Sequence, residues 1–160
     1  MFLSFVESIK YVGHLLPISF LRIFLGLVYL QEMLKQYRGD FLLRPRLADL
    51  IVEHLPTSQA PLWFKFVLNS QFIPHWQTYS ILIWGLHLMV GVSYLLGYLV
   101  RPTALLATLL SFVMMSISGP HQEEYFKTLI AIHLILAWVG AGRCLGVDYY
   151  FYKRRRGVWW

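Results

Sequence analysis

The sequence has little of two things that most soluble, redox-active or nucleic-acid-binding proteins need. It contains a single cysteine, Cys144, so an internal disulfide framework and a CxxC redox pair are both excluded. Charged residues make up only 14% of the chain, too few to cover the surface of an ordinary soluble domain. Five of the fourteen basic residues lie near the C-terminal end, in 143–156. This clustering argues against a surface that follows phosphates and favours a membrane-flanking anchor, with no nucleic-acid partner.

What the sequence does have is a large excess of apolar residues. They make up 58% of the chain, aromatic residues make up 17%, and the mean hydropathy is +0.55. A helix needs about 20 mainly apolar residues to cross the hydrocarbon core of a bilayer. We therefore expect an all-α membrane protein with 1–160 as one domain and the lipid bilayer as its surroundings. Four stretches fit as transmembrane helices, at about 15–33, 78–100, 103–118 and 125–141.

Residues 34–77 form a long connection that is predicted to lie along the membrane interface. In the segment RPRLADLIVEHL, Leu47, Leu50, Ile51 and Leu55 share one helix face, and the charged residues share the other. We expect this amphipathic helix to begin near Pro45, and a second, aromatic-rich helix to follow in PLWFKFVLNSQFI. The pair would cover one mouth of the bundle.

Charge at the two ends of the chain bears on its orientation. The tail 146–160 mixes tyrosine, tryptophan, lysine and arginine, a composition typical of the cytoplasmic membrane surface. With four spans both termini would then be cytoplasmic, in a bacterial inner membrane. The first residues lack the basic start and the small-residue cleavage site of a signal peptide, so we expect them to be retained as a short amphipathic lead-in.

Each predicted span carries one stripe of polar or small residues at helical spacing. The stripes place Arg22 and Tyr29 on the first span, His87 and Tyr94 on the second, and His133 on the fourth. Arg22, His87 and His133 fall near the middle of their spans, where an unpaired charge costs roughly 3 kcal/mol on insertion scales. We therefore expect the three to meet on a common axis, with Tyr29 or Tyr94 supplying hydroxyl groups.

Several interpretations of this polar group remain open. One interpretation is that it only holds the helices together. Another is a binding site for a quinone head group, in which Arg22, Tyr29, His87, Tyr94 and His133 supply hydrogen bonds. Two histidines at similar depth could instead ligate a b-type haem. Separately, GPHQEEYFK offers His121 and two glutamates to a metal ion, but a helix start explains the same residues, and no metal site is predicted.

Four segments resemble the DoxX family, and within it the small membrane subunit of thiosulfate:quinone oxidoreductase. They are RIFLGLVYLQEMLKQY, LPTSQAPLWFKFVLNSQFIPHW, GVSYLLGYLVRPTALLATLL and GAGRCLGVDYYF, and together they extend over about 18–151. The resemblance implies a four-helix membrane protein associated with quinone-linked redox systems or with partner proteins. Many relatives have a glutamate four residues before the glycine that corresponds to Gly91, where this chain has His87.

Two functions from different classes follow. The first is an integral-membrane subunit of a quinone-linked oxidoreductase, which docks a partner protein and contributes a quinone and proton site. The second is a non-catalytic accessory or assembly subunit of a larger membrane complex, in which the polar group only holds the bundle together. The sequence leaves open whether the chain has enzymatic activity alone.

Overall fold

The computed structural model describes residues 13–58 and 60–154, and these residues form helices joined by short turns. The prediction of an all-α chain is confirmed over these ranges. The predicted amphipathic lead-in lies almost entirely outside the described residues, and so does the end of the basic and aromatic tail, 155–160.

Seven α-helices follow one another along the described part of the chain. They are α1 (Leu16–Arg38), α2 (Arg46–His54), α3 (Leu62–Val67), α4 (Trp76–Leu96), α5 (Val100–Ile117), α6 (Glu123–Val139) and α7 (Asp148–Arg154). A 3₁₀ turn, Gly13–Leu15, leads into α1, and a π-helical segment, Leu68–Phe72, continues α3.

The long helices α1, α4, α5 and α6 form a bundle in which α1 packs along α4 and α5 packs along α6. Two glycines bring α1 and α4 close together. A Cβ atom on Gly26 would lie 3.1 Å from the Gly91 carbonyl oxygen, and one on Gly91 would lie 2.7 Å from a methyl carbon of Leu30. Small residues permit such close helix contacts in membrane proteins. This crossing brings the polar faces of the two helices together.

Three helices of the described chain, not four, are long and apolar enough to cross a membrane. They are Gly13–Arg38, Trp76–Leu96 and Val100–Ile117, and they indicate a membrane protein. The predicted fourth span, 125–141, corresponds to α6, which has only 17 residues and begins with Glu123 and Glu124. The count of four was therefore wrong, because these charges and the early stop at Gly140 shorten the apolar part. The prediction of two cytoplasmic termini loses the support that an even number of spans gave it.

The turn between the second and third spans also differs from the prediction. The predicted spans 78–100 and 103–118 place it at residues 101–102, but α4 ends at Leu96 and α5 already begins at Val100. Gly97 and Leu99 make the turn, with left-handed φ angles of 63° and 52°. Pro102 then lies in the first turn of α5, where a missing N–H has no consequence.

The segment between α1 and α4 covers one end of the bundle. The predicted amphipathic helix begins at Arg46, directly after Pro45, and buries Leu47, Ile51 and Leu55. Leu50, predicted on the same face, is partly exposed at the rim. On α3, Phe64 is buried in the core, whereas Leu62, Trp63 and Phe66 are exposed.

Candidate functional site

The centre of the bundle holds a hydrogen-bonded chain that joins three helices. The hydroxyl of Tyr29 on α1 lies 2.8 Å from Nε2 of His133 on α6. The hydroxyl of Tyr94 on α4 lies 2.9 Å from Nδ1 of the same imidazole. The Tyr29 hydroxyl also lies 3.4 Å from Oγ of Ser111 on α5, so all four long helices contribute. Tyr94 and His133 are fully buried, as the polar stripes predicted.

The burial of Tyr94 fixes the direction of this chain. In a neutral imidazole one ring nitrogen donates and the other accepts. Tyr94 has no other hydrogen-bond partner within the described residues, so its hydrogen is satisfied only by donation to Nδ1. Nε2 of His133 then donates to the oxygen of Tyr29. The Tyr29 hydrogen is left to donate to Ser111 or to a ligand.

His87 lies beside this chain and has one committed nitrogen. Its ring centroid is 5.6 Å from that of Tyr29. Its Nδ1 lies 2.8 Å from the carbonyl oxygen of Ile83, one turn earlier on α4. Since a carbonyl oxygen can only accept, Nδ1 carries the hydrogen and Nε2 of the neutral ring is an acceptor. Nε2 has no protein partner within the described ranges.

Tyr29 and His87 line a cavity of about 480 Å³ that lies between the long helices and α2. This volume is in the range of small-molecule sites. The polar residues of the lining come from the four long helices, from the turn before α6 and from α2. They are Tyr29, Glu32, Lys35, Gln36, His54, His87, Ser111, Ser118, Gln122 and Tyr125. Glu32 and Lys35 form an exposed ion pair of 3.2 Å at the rim.

Gln36 is the residue of this cavity that sequence reasoning missed. It is 91% buried, and its Oε1 has no hydrogen-bond partner in the described part of the chain. The predicted first span ended at residue 33, because Glu32 and Lys35 interrupt the apolar run. The helix continues to Arg38, however, and Gln36 follows Tyr29 by seven residues. That spacing was the available signal, since it places both residues on the same face.

The structure does not bring Arg22 together with the two imidazoles. Its guanidinium donates to the carbonyl oxygens of Ala141 at 2.9 Å and Leu145 at 2.8 Å. Arg22 is seven residues from Tyr29, about 10 Å along α1. The reason is local: the chain leaves α6 through Gly140, with a left-handed φ of 67°, and presents carbonyl oxygens that no helix satisfies.

Asp148 closes the same end of the bundle. Its carboxylate accepts hydrogen bonds from the N–H groups of Leu99 at 2.7 Å and Val100 at 3.1 Å, and so caps the start of α5. Burial raises the pKa of the Asp148 carboxyl, while the two N–H donors and the nearby Arg22 act in the opposite direction. A Cβ atom on Gly142 would collide with this carboxylate.

The side chains available as ligands bear on two alternative sites, a haem held by two histidines and a metal ion in the GPHQEEYFK segment. A haem iron needs an available nitrogen from each histidine, but both nitrogens of His133 are already bonded to tyrosine hydroxyls. This arrangement does not fit bis-histidine ligation. In the GPHQEEYFK segment, Glu123 and Glu124 instead pair with Lys127 at 2.9 and 3.0 Å at the start of α6.

Comparison with known proteins adds no constraint to this geometry. No family model, no curated protein and no solved structure matches the chain. The resemblance to the DoxX family therefore stays a prediction from the residues. The candidate site consists of the cavity with Tyr29, His87 and Gln36, supported from behind by Tyr94 and His133.

Proposed function

We propose that this chain is an integral-membrane subunit of a quinone-linked oxidoreductase, as the DoxX-like segments imply, and that its cavity holds a quinone head group. The observation that carries the proposal is the cavity of about 480 Å³ inside a bundle with three membrane-spanning candidates. Its lining combines apolar side chains with Tyr29 and His87, which can hydrogen-bond to ring oxygens. A quinone supplies two-electron, two-proton chemistry, and the electron carrier would belong to a partner protein.

Within this proposal the residues have separate tasks. Tyr29 would donate a hydrogen bond to a ring oxygen, and His87 Nε2 would accept a proton from the ligand. Tyr94 and His133 hold the Tyr29 hydroxyl in place through the bonds of 2.9 and 2.8 Å. Arg22 has its main donors committed to backbone carbonyls and takes no part in ligand binding.

We also propose a location in the bacterial cytoplasmic membrane. The end of the bundle with the C-terminal segment carries Arg101, Arg143, Lys153 and Arg154, so we expect it to face the cytoplasm. The mouth of the cavity, with Glu32 and Lys35, would then open on the opposite side.

The proposal is tested by extracting the detergent-purified protein with organic solvent and identifying any quinone in the extract. We expect a bound quinone in the natural chain and its loss in His87→Leu, with the helical circular dichroism unchanged. The matched control is His75→Leu, because His75 is exposed and makes no capping hydrogen bond. A protein that contains no quinone and binds none added in micelles would contradict the proposal.

A non-catalytic accessory subunit remains the second proposal, and one observation favours it. Leu62, Trp63 and Phe66 present an exposed apolar face on a short helix that also carries Lys65. Stoichiometric purification with a membrane complex, lost in Trp63→Ser but retained in His87→Leu, would support this role over the quinone site.

A further inference from the structure

Three buried polar atoms on α1 and α4 have no hydrogen-bond partner within the described residues. They are Oε1 of Gln36, Oγ of Ser80 and Nε1 of Trp84. Ser80 is fully buried, and Gln36 is 91% buried. In the same part of the chain Nε2 of His87 also lacks a protein partner, because the other ring nitrogen donates to the Ile83 carbonyl. A buried polar atom without a hydrogen bond is unfavourable, so all four atoms call for a partner.

Two ring contacts fix how α1 and α4 lie relative to each other. The ring centroid of Tyr29 is 5.6 Å from that of His87, and the centroid of Tyr37 is 6.2 Å from that of Trp84. Tyr37 follows Tyr29 on α1, whereas Trp84 precedes His87 on α4. The two helices therefore run antiparallel.

This antiparallel packing places the four polar atoms along one line. Gln36 comes seven residues after Tyr29, and Ser80 comes seven residues before His87. Seven residues are about two helical turns, or about 10 Å, so each residue lies on the same face as the one from which it is counted. Gln36 and Ser80 are thus at one level, about 10 Å from His87 along the bundle. We call this line the α1–α4 seam.

The chemistry of the four atoms suits water better than a single organic ligand. Nε1 of Trp84 can only donate, whereas Oε1 of Gln36 and Nε2 of the neutral His87 can only accept. Water both donates and accepts, and buried water molecules typically bond to such otherwise unsatisfied groups. Gln36 and His87 line the cavity of about 480 Å³, so water in the seam is continuous with it. Ser80 and Trp84 lie outside the cavity lining, where a head group would not reach them.

The seam runs to the end of the bundle at which α1 stops and α4 starts. Ser80 is one turn after the first residue of α4, Trp76, and Gln36 is two residues before the last residue of α1, Arg38. Arg38 is exposed. Water along the seam would accordingly connect His87 with this surface of the protein.

We infer that the α1–α4 seam binds a row of water molecules that carries protons between His87 and the surface of the bundle. The row of water follows from the four polar atoms, and its use rests on the proposed quinone site. A proton that His87 Nε2 takes from the ligand passes to the nearest water molecule, and the imidazole returns to its neutral form. Ser80 and Trp84 are positioning residues, which hold the water without touching the ligand.

The test measures how fast the indole hydrogen of Trp84 exchanges with deuterium, by NMR of the chain with isotope-labelled tryptophan in detergent micelles. A buried N–H group exchanges either when the structure opens or where water reaches it. We expect exchange in the natural chain to be much faster than global unfolding. Ser80→Val should slow it by about tenfold, because the water loses one hydrogen bond. Ser80→Thr keeps the hydroxyl and should keep the natural rate.

Ser116→Val is the matched control, because Ser116 is also buried and its hydroxyl already donates to the Phe112 carbonyl at 3.1 Å. It should leave the exchange at Trp84 unchanged. Exchange as slow as global unfolding, or equally fast in Ser80→Val, would overturn the inference and leave the quinone site standing. Loss of bound quinone in folded Ser80→Val would overturn the positioning role of Ser80. Slowed exchange in a chain that binds no quinone would overturn the proposed function and, with it, the use of the seam for ligand protons.

Discussion

The two ends of the helix bundle use polar residues in opposite ways. At the C-terminal end, Arg22 and Asp148 are buried and bonded to backbone carbonyl and N–H groups, and there is no space for a Cβ atom on Gly142. At the other end the bundle holds a cavity of about 480 Å³, and the Gln36 oxygen is buried there without a partner in the described chain. We call these the closed end and the cavity end.

This comparison separates two roles for the mid-span polar residues that the sequence alone did not distinguish. Polar residues in the middle of apolar helices can hold helices together or can bind a ligand. Arg22 holds helices together, because its guanidinium donates to three backbone carbonyls in the 141–145 segment. Within the described part of the chain, His87 has one ring nitrogen without a protein partner beside a cavity, which is the arrangement that suits a ligand.

The largest effect is expected from Arg22→Met at the closed end. It removes the guanidinium donors to the carbonyls of Ala141 and Leu145, so folding stability should fall by about 3 kcal/mol or more. Thermal unfolding in detergent, followed by circular dichroism, measures this loss. Ligand affinity of the fraction that remains folded should be nearly unchanged, since Arg22 is distant from the cavity.

Arg44→Met is the matched control for that change, because Arg44 is exposed and its only ion pair among the described residues is with Asp40, at 3.3 Å. Its stability should stay within about 0.5 kcal/mol of the natural chain. A loss of ligand affinity in folded Arg22→Met, comparable with that in His87→Leu, would break the distinction between the two ends.

A smaller effect, and a sharper test, comes from the two tyrosines that flank His133. Tyr94→Phe removes the hydroxyl that donates to Nδ1 of His133. Tyr29→Phe removes the oxygen that accepts the hydrogen of Nε2 of His133. Each change should destabilise the fold by about 1–3 kcal/mol. Only Tyr29 lines the cavity, so only Tyr29→Phe should also weaken ring binding directly, by about tenfold. Thermal unfolding and titration of the ring ligand in the same detergent separate the two effects.

The comparison of Tyr29 with Tyr94 depends on the direction of the hydrogen-bonded chain. If Tyr94→Phe weakens ligand binding as much as Tyr29→Phe does, Tyr94 affects the ligand as strongly as the residue that contacts it. The distinction between supporting and contacting residues would then fail. Ser111→Ala provides the control, because its bond to Tyr29 is long at 3.4 Å and its loss should matter least.

Much of the cavity end could be predicted because helical periodicity is a local property. Tyr29, His87, Tyr94 and His133 were expected on inward faces from spacing alone, and the helices do bury them. Gln36 was missed for a related reason: hydropathy ended the span at residue 33, whereas the backbone hydrogen bonds carry α1 through the exposed Glu32 and Lys35.

The closed end was less accessible to sequence reasoning, because its partners are backbone groups. The carbonyl oxygens that accept hydrogen bonds from Arg22 are available to it because the chain turns through Gly140 and Leu145, both with left-handed φ angles. Side-chain patterns do not encode which carbonyl oxygens a turn will expose. An arginine at mid-span was therefore expected beside the imidazoles, although the backbone carbonyls of the 141–145 segment were the better acceptors.

The smallest effects should differ in sign between the two ends. Ser19→Ala at the closed end removes a hydroxyl that donates to the Cys144 carbonyl at 2.9 Å, so stability should fall by about 1 kcal/mol. Gln36→Leu at the cavity end removes an amide whose oxygen has no partner in the described chain. The ligand-free protein should therefore keep its stability or gain up to about 1 kcal/mol. A destabilised, ligand-free Gln36→Leu would mean that Gln36 holds the bundle together as Ser19 does, and the two ends would no longer differ in kind.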